Sequence, residues 1–272
     1  MPSTFPSAPH GGLSYRRDSP TQDRSAHDEA SQAVSQNDPR QRLIVALDVS
    51  TAAAAQKIVA AVGDSALTYK VGMQLYTAEG PQIVRHLVAS GRRVFLDLKY
   101  HDIPNTVGAA VREAAQLGVS MLTVHASGGN KMLRAAVDAA KARPELIVLA
   151  ITVLTSMDEN DLDAIGMHGS TKESAVKESV VRLASIALAN GCQGVVTSAR
   201  EAYALRTELG DGFAIVTPGV RPAGSNVGDQ VRVVTPAEAI AAGASHIVVG
   251  RPITGAADPA AAAREILGQL GG

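Results

Sequence analysis

Arg93-Val94-Phe95-Leu96-Asp97-Leu98-Lys99 runs into the polar stretch Tyr100-His101-Asp102-Ile103-Pro104-Asn105, and then into an Ala-rich segment over 106–117 that stops at Gly118. The apolar start reads as a buried strand and the polar stretch as a turn. The Ala-rich segment has the spacing of a helix. Gly118 falls where a helix end needs left-handed geometry. The same unit recurs along the chain. Strands are expected at 42–49, 67–72, 93–99, 121–126, 147–154, 194–198, 214–218 and 246–250, and helices at 52–62, 81–90, 106–117, 131–142, 174–189, 201–208, 236–241 and 259–270. Eight strands, each followed by a helix, within the roughly 230 residues after Arg40 match the count of a (β/α)8 barrel. A doubly wound sheet is the structural alternative, but the alternation is regular and no strand opens a Gly-rich dinucleotide turn. The expected class is α/β, a (β/α)8 TIM barrel over 41–272.

Residues 1–40 differ in kind. They are rich in Ser, Pro, Gln, Asp and Arg and lack apolar periodicity, so a disordered extension dispensable for chemistry is expected there. Without a continuous apolar stretch, no secretory signal is expected. Asp18, Asp23, Asp28, Glu29 and Asp38 do not suit an acid-poor transit peptide, and the cytoplasm is the expected compartment. Across the chain the formal net charge is −1 and no basic run appears, which argues against a nucleic-acid or anionic-membrane surface. No apolar run approaches the ~20 residues of a membrane span. Cys192 is the single cysteine, so an internal disulfide and a Cys-based metal cluster are both excluded, and a small half-buried side chain is expected there.

Barrel enzymes keep their chemistry at the C-terminal ends of the strands. Polar residues collect at those ends here: Asp48, Lys70, Asp97 with Lys99, His125, Thr155 with Ser156, Arg221, and Gly250 with Arg251. Strand alternation places Asp97 and Lys99 on one face, toward the barrel mouth. Val94-Phe95-Leu96 makes an exposed strand improbable, and ionised groups at a buried strand end need partners. Lys70 on the adjacent strand supplies a second cation, and Asp102 follows where the strand has ended. An alternating Lys–Asp cluster of this kind marks a site.

Decarboxylation without an electron sink calls for such an array. Asp97 can crowd a departing carboxylate, by about 4 kcal/mol for unit charges ~4 Å apart at intermediate dielectric. Lys99 can stabilise the carbanion left behind and then protonate it, while Lys70 and Asp102 hold and balance the central pair. Gly250-Arg251 reads as a phosphate grip, with Gly250 admitting backbone N–H groups and Arg251 offering fixed donors. Arg221 lies on the same side; its spacing alone fits a solvent-facing loop cation equally well.

The segment Asp97-Leu98-Lys99-Tyr100-His101-Asp102-Ile103-Pro104-Asn105-Thr106 resembles the signature of the orotidine 5′-phosphate decarboxylase family. So do Leu47-Asp48, Lys70-Val71-Gly72, Thr155-Ser156, Pro218-Gly219-Val220-Arg221 and Gly250-Arg251. The similarity runs from about Leu43 to Ile266 and leaves out the N-terminal extension. The resemblance implies cofactor-free and metal-free conversion of orotidine 5′-phosphate to uridine 5′-phosphate, the last step of UMP synthesis. Lys99 would then be the proton donor, and Asp97 the carboxylate beside the substrate's carboxyl group. Asp48 and Lys70 would contact the ribose. Asp102 would reach the neighbouring subunit's site in a homodimer with shared active sites, and Thr106 would join the substrate-binding set. Thr155 and Ser156 would lie near the pyrimidine. Arg221, Gln230, Gly250 and Arg251 would close over the phosphate, with 219–230 a mobile loop. His101 and His125 carry no role in that family and are expected to be structural.

Three other readings use the same residues. A metal-dependent sugar-phosphate decarboxylase or synthase of the same superfamily shares the Asp-x-Lys-x-x-Asp pattern but carries an acid where this chain has Lys70, and a cation there opposes a metal. A Schiff-base aldolase would need Lys99 neutral, whereas Asp97 and Asp102 favour the ammonium form. A non-catalytic binder of phosphorylated ligands gains nothing from alternating charges.

Overall fold

The structure, a computed structural model, describes residues 38–222 and 234–270. Asp38, Pro39 and Arg40, which the composition assigns to the extension, enter a short 3-10 turn at Pro39–Gln41, with the Asp38 carboxylate accepting the Arg40 N–H. Eight parallel strands follow: β1 (Leu43–Ala46), β2 (Thr68–Gly72), β3 (Arg93–Tyr100), β4 (Met121–His125), β5 (Ile147–Ile151), β6 (Gly194–Val196), β7 (Ala214–Thr217) and β8 (His246–Val249). They hydrogen-bond in sequence order, and β1 pairs with β8, Leu43 opposite Ile247, to close the barrel.

The helices on the outside are α1 (Ala52–Val62), α2 (Met73–Glu79), α3 (Gln82–Ala89), α4 (Pro104–Gln116), α5 (Gly129–Ala140), α6 (Glu159–Ala164), α7 (Ala175–Ala189), α8 (Ala199–Leu209), α9 (Pro236–Ala241), α10 (Arg251–Thr254) and α11 (Pro259–Gly268). Their starts follow capping chemistry. Thr51 and Asp258 accept N–H groups of α1 and α11, and Thr235 forms a reciprocal capping box with Glu238 on α9. α4 begins two residues earlier than expected because Pro104 already has helical φ at its first position. Three helices fall outside the expected set. α10 is too short to show a period. α2 follows Gly72, which has no side chain to cap it. α6 does carry a signal, the Asp158/Asp161 capping box, which a strand reading of 147–154 leaves unused.

Two apolar layers hold the barrel. The larger lies between strands and helices, from Leu43, Val45 and Leu47 through Val71, Leu96, Leu122 and Val249 to Ile266. The smaller fills the interior with Ile44, Ala46, Phe95, Met121, Leu149, Val216 and Val248. A filled interior gives the strand ends above it a firm floor. Inside, Gly194 is required by packing, because a Cβ there would lie 2.4 Å from the Ala214 carbonyl oxygen. No helix is long and apolar enough to cross a membrane among the described residues.

At the opposite end of the barrel His246 pairs in register with Val216, and its Nδ1 is buried with no hydrogen-bond partner among the described residues. Burial, aided by the charges of Arg93 and Arg42, pushes its pKa down to about 4. The folded protein therefore holds this ring neutral while the unfolded chain protonates it near pH ~6.5. Stability is unaffected above that pH and falls as the pH drops from about 6.5 toward 4, by at most about 1.4 kcal/mol per pH unit. Urea unfolding at pH 7, 6 and 5 should show a flatter decline for His246→Asn than for the wild type; parallel declines would mean that His246 titrates alike in both states.

Candidate active site

At the C-terminal ends of the strands lies a cavity of about 400 Å³, a size suited to a small-molecule ligand. Its floor is apolar, formed by Ala46, Phe95, Ile151, Val196 and Val248. Charged side chains line it in two groups: Asp48, Lys70, Asp97 and Lys99 from the ends of β1 to β3, and Arg221 and Arg251 from beyond the ends of β7 and β8. Thr155 and Gly250 complete the predicted residues that the fold brings to this cavity.

The first group is a linked chain of charges. Lys99 Nζ donates to Asp97 Oδ2 at 2.8 Å. Lys70 Nζ lies 3.9 Å from the same oxygen and donates to Asp48 Oδ1 at 2.8 Å. The Asp97 and Lys70 side chains are each only 13% exposed, so each charge depends on its neighbours for what water no longer supplies. Gly72 takes part through its missing side chain. A Cβ there would sit 3.1 Å from Lys70 Nζ and press on the ammonium.

Asp97 and Lys99 do share the cavity, but simple strand alternation is not what puts them there. Leu96 pairs with Leu122 and Tyr100 with Val124, so Asp97, Leu98 and Lys99 together oppose Thr123 alone. This is a bulge, and within it Lys99 has φ 53°, the sole positive φ outside glycine among the described residues. An L residue in this left-handed region costs about 1–2 kcal/mol. Contacts around Lys99 offset it: the ion pair to Asp97, and the Lys99 N–H, which donates to Thr123 Oγ1 at 2.9 Å. Thr123 Oγ1 in turn donates to Asp97 Oδ1 at 3.0 Å. Neither the bulge nor Thr123 figured in the sequence reading; the available signal was a hydroxyl two residues before His125 on an otherwise apolar strand.

In the second group, burial together with the nearby Arg251 charge lowers the Arg221 pKa from its ordinary value. Two guanidinium groups within electrostatic range of each other at one cavity are chemically suited to an anion. Arg221 is anchored by its backbone, its N–H donating to the Val234 carbonyl at 3.0 Å. Gly250 precedes α10, and a Cβ there would meet only ordinary contacts, Ala46 Cβ at 3.6 Å and Asp48 Oδ2 at 3.8 Å. The glycine thus leaves room in the cavity rather than relieving a clash with the barrel.

Other predicted residues stand apart. Asp102 is exposed, with Oδ1 accepting the Ile103 N–H at 2.6 Å, and is not among the residues lining this cavity. Thr106 and Ser156 are also exposed and outside the lining. Gln230 lies outside the described residues, as does most of 219–230. His101 and His125 stack at 5.2 Å beside the charged chain, and burial, then the charges of His101 and Lys99, lower the His125 pKa. The Cys192 thiol is buried rather than half-buried, and burial pushes its pKa up to about 12, which leaves it unreactive. No group of three His, Cys, Asp or Glu side chains gathers as a metal cluster among the described residues.

The left-handed backbone at Lys99 has a measurable consequence. Lys99→Gly should be more stable to urea than Lys99→Ala by about 0.5–1 kcal/mol, because only glycine occupies that φ without strain. The reverse order would place residue 99 in ordinary extended backbone.

Residues 41–266 match the model of the family described as Orotidine 5′-phosphate decarboxylase / HUMPS family. An orotidine 5′-phosphate decarboxylase of Halorhodospira halophila is 52% identical over 230 residues, covering 84% of this chain and 95% of that protein. One from Anaeromyxobacter dehalogenans is 52% identical over 232 residues, covering 85% and 99%. The crystal structure of orotidine 5′-phosphate decarboxylase from Lactobacillus acidophilus matches with a TM-score of 0.74 at 37% identity, over 85% of this chain and 99% of that one. The closed eight-stranded barrel, the charged chain on β1 to β3 and these likenesses agree, and the chain belongs to the orotidine 5′-phosphate decarboxylase / HUMPS family.

Proposed function

We propose that this chain is an orotidine 5′-phosphate decarboxylase, which converts orotidine 5′-phosphate to uridine 5′-phosphate and CO2. The observation that carries the reading is the Lys99–Asp97–Lys70–Asp48 chain sharing one cavity with the Arg221–Arg251 pair. The arginines suit the substrate's phosphate, and Asp48 and Lys70 its ribose hydroxyls. The apolar floor and Thr155 suit the pyrimidine.

The chemistry follows from the charges. The substrate carboxylate lies against Asp97, and like charges in a site largely shielded from water disfavour the bound anion. The bond from C6 to the carboxyl carbon breaks, CO2 leaves, and the electron pair stays on C6. The Lys99 ammonium, held 2.8 Å from Asp97, stabilises that pair and then gives it a proton. Lys99 regains a proton from solvent. No cofactor is required, since the fixed charges serve where an electron sink otherwise would. Lys70 also speaks against the metal-dependent reading, because its ammonium already bridges Asp48 and Asp97.

A homodimer belongs to the same proposal. Asp102 is exposed beside Ile103, which is 66% exposed, and Met73 at the end of β2 is 55% exposed. Exposed apolar side chains just beyond β2 and β3 suit contact with a second copy, whose Asp102 would complete the neighbouring site. The reaction is assigned to residues 41–272, in the cytoplasm, with the first forty residues outside it.

Loss of orotidine monophosphate absorbance tests the reading directly. Lys99→Ala and Asp97→Ala should each abolish turnover while keeping the wild-type circular dichroism spectrum, and EDTA should change nothing. Turnover that survives Lys99→Ala would reject the mechanism, and inhibition by EDTA would restore the metal-dependent reading. Arg251→Ala should raise KM far more than it lowers kcat. For the dimer, Lys99→Ala and Asp102→Ala subunits, inactive alone, should regain about a quarter of wild-type activity on mixing, from one intact site in each mixed dimer. Mixtures that stay inactive after subunit exchange would show that sites are not shared.

A further inference from the structure

The geometry points to Thr123 as a positioning residue for the proposed decarboxylation, holding Asp97 and Lys99 in their working arrangement through one bridging hydroxyl. This inference rests on the functional reading above. Thr123 is fully buried on β4, directly opposite the bulge in β3. Its Oγ1 accepts the Lys99 N–H at 2.9 Å and donates to Asp97 Oδ1 at 3.0 Å. A hydroxyl has one proton to give and lone pairs to accept with, so the one oxygen serves the Lys99 amide as acceptor and the Asp97 carboxylate as donor at once.

Two consequences follow. The Lys99 amide sits in the bulge where the β3–β4 register shifts, and the hydroxyl is the acceptor it finds. That contact holds residue 99 at φ 53°, from which its side chain reaches Asp97. The second contact divides the Asp97 carboxylate. Oδ1 is assigned to Thr123, which leaves Oδ2 for Lys99 Nζ at 2.8 Å and Lys70 Nζ at 3.9 Å. Thr123 thereby sets both the backbone turn that aims the ammonium and the plane of the carboxylate beside it. Its β-branched side chain has few χ1 options, which suits a fixed bridge.

Thr123→Val keeps the shape and deletes the hydroxyl; Thr123→Ser keeps the hydroxyl. The Val variant should lose kcat on the order of 10²-fold, the cost of a misplaced reacting group, with KM and the Kd for uridine 5′-phosphate near wild type. The Ser variant should recover most of the kcat. Exchange of the Lys99 backbone amide with deuterium should be faster in the Val variant and near wild type in the Ser variant. Wild-type kcat in the Val variant would overturn the inference, as would a loss confined to KM or an unchanged Lys99 exchange rate. If the Val variant does not fold, Thr123→Ala takes its place, and failure of both would make the hydroxyl a folding determinant and reject the positioning role. A wild-type protein that does not decarboxylate the substrate defeats the functional reading instead, and the Lys99 exchange rates then still decide whether the bridge holds the bulge.

Discussion

The ion pair between Lys99 and Asp97 is the constraint around which the rest of the site is arranged. Two charges mostly removed from water are tolerated only when each has a close, well-oriented partner. Here that partner lies two residues away in sequence, and the chain reaches it by bulging and by turning Lys99 into left-handed backbone. The strain is local and the compensation is not. Thr123 comes from β4, Lys70 and the space above Gly72 from β2, and Asp48 from the end of β1. Three strands are thus committed to the placement of one ammonium group.

The barrel makes this commitment possible because its interior is filled. Phe95 and Val248 lie in the apolar plug and also line the cavity floor, so the charged residues stand on packed side chains. A charge array on a loose support would relax toward solvent and lose the electrostatic preorganisation that the proposed reaction needs. Work is also divided around the rim. The bulged end of β3 carries Asp97 and Lys99, the groups proposed for bond breaking, and the ends of β1 and β2 carry Asp48 and Lys70, proposed for the ribose. The segments after β7 and β8 carry the two arginines proposed for the phosphate, Arg251 at the first position of α10. Asp102, exposed just beyond β3, fits neither group within a single chain, and this is the structural motive for assigning it to a second subunit.

Much of this is legible in the sequence. The eight strand starts were within a residue of their places because buried parallel strands are continuous apolar runs bounded by polar turns and glycines. Strand ends were less legible. The ladder of β1 stops at Ala46 and that of β5 at Ile151, and the chain beyond them continues as site loops whose composition still looks strand-like. Helix α1 was read to the residue because Thr51 and Gly63 mark its ends, whereas α2, capped by a glycine without a side chain, gave no such mark. Lys70, Asp97 and Lys99 stand out in the sequence because charges at buried strand ends need partners, whereas the spacing of Arg221 fits a solvent-facing loop cation equally well.

Residue order by itself determined the repeating strand–helix alternation, the barrel it implies and the set of charged strand ends, since all three follow from local periodicity and from the cost of burying charge. Only the tertiary structure decided how Asp97 and Lys99 meet. Period-two alternation predicts a shared face for the right residues through the wrong geometry, because a bulge is defined by what lies opposite it. Thr123 is 24 residues from Lys99 in sequence and becomes its hydrogen-bond partner only when β4 is laid against β3.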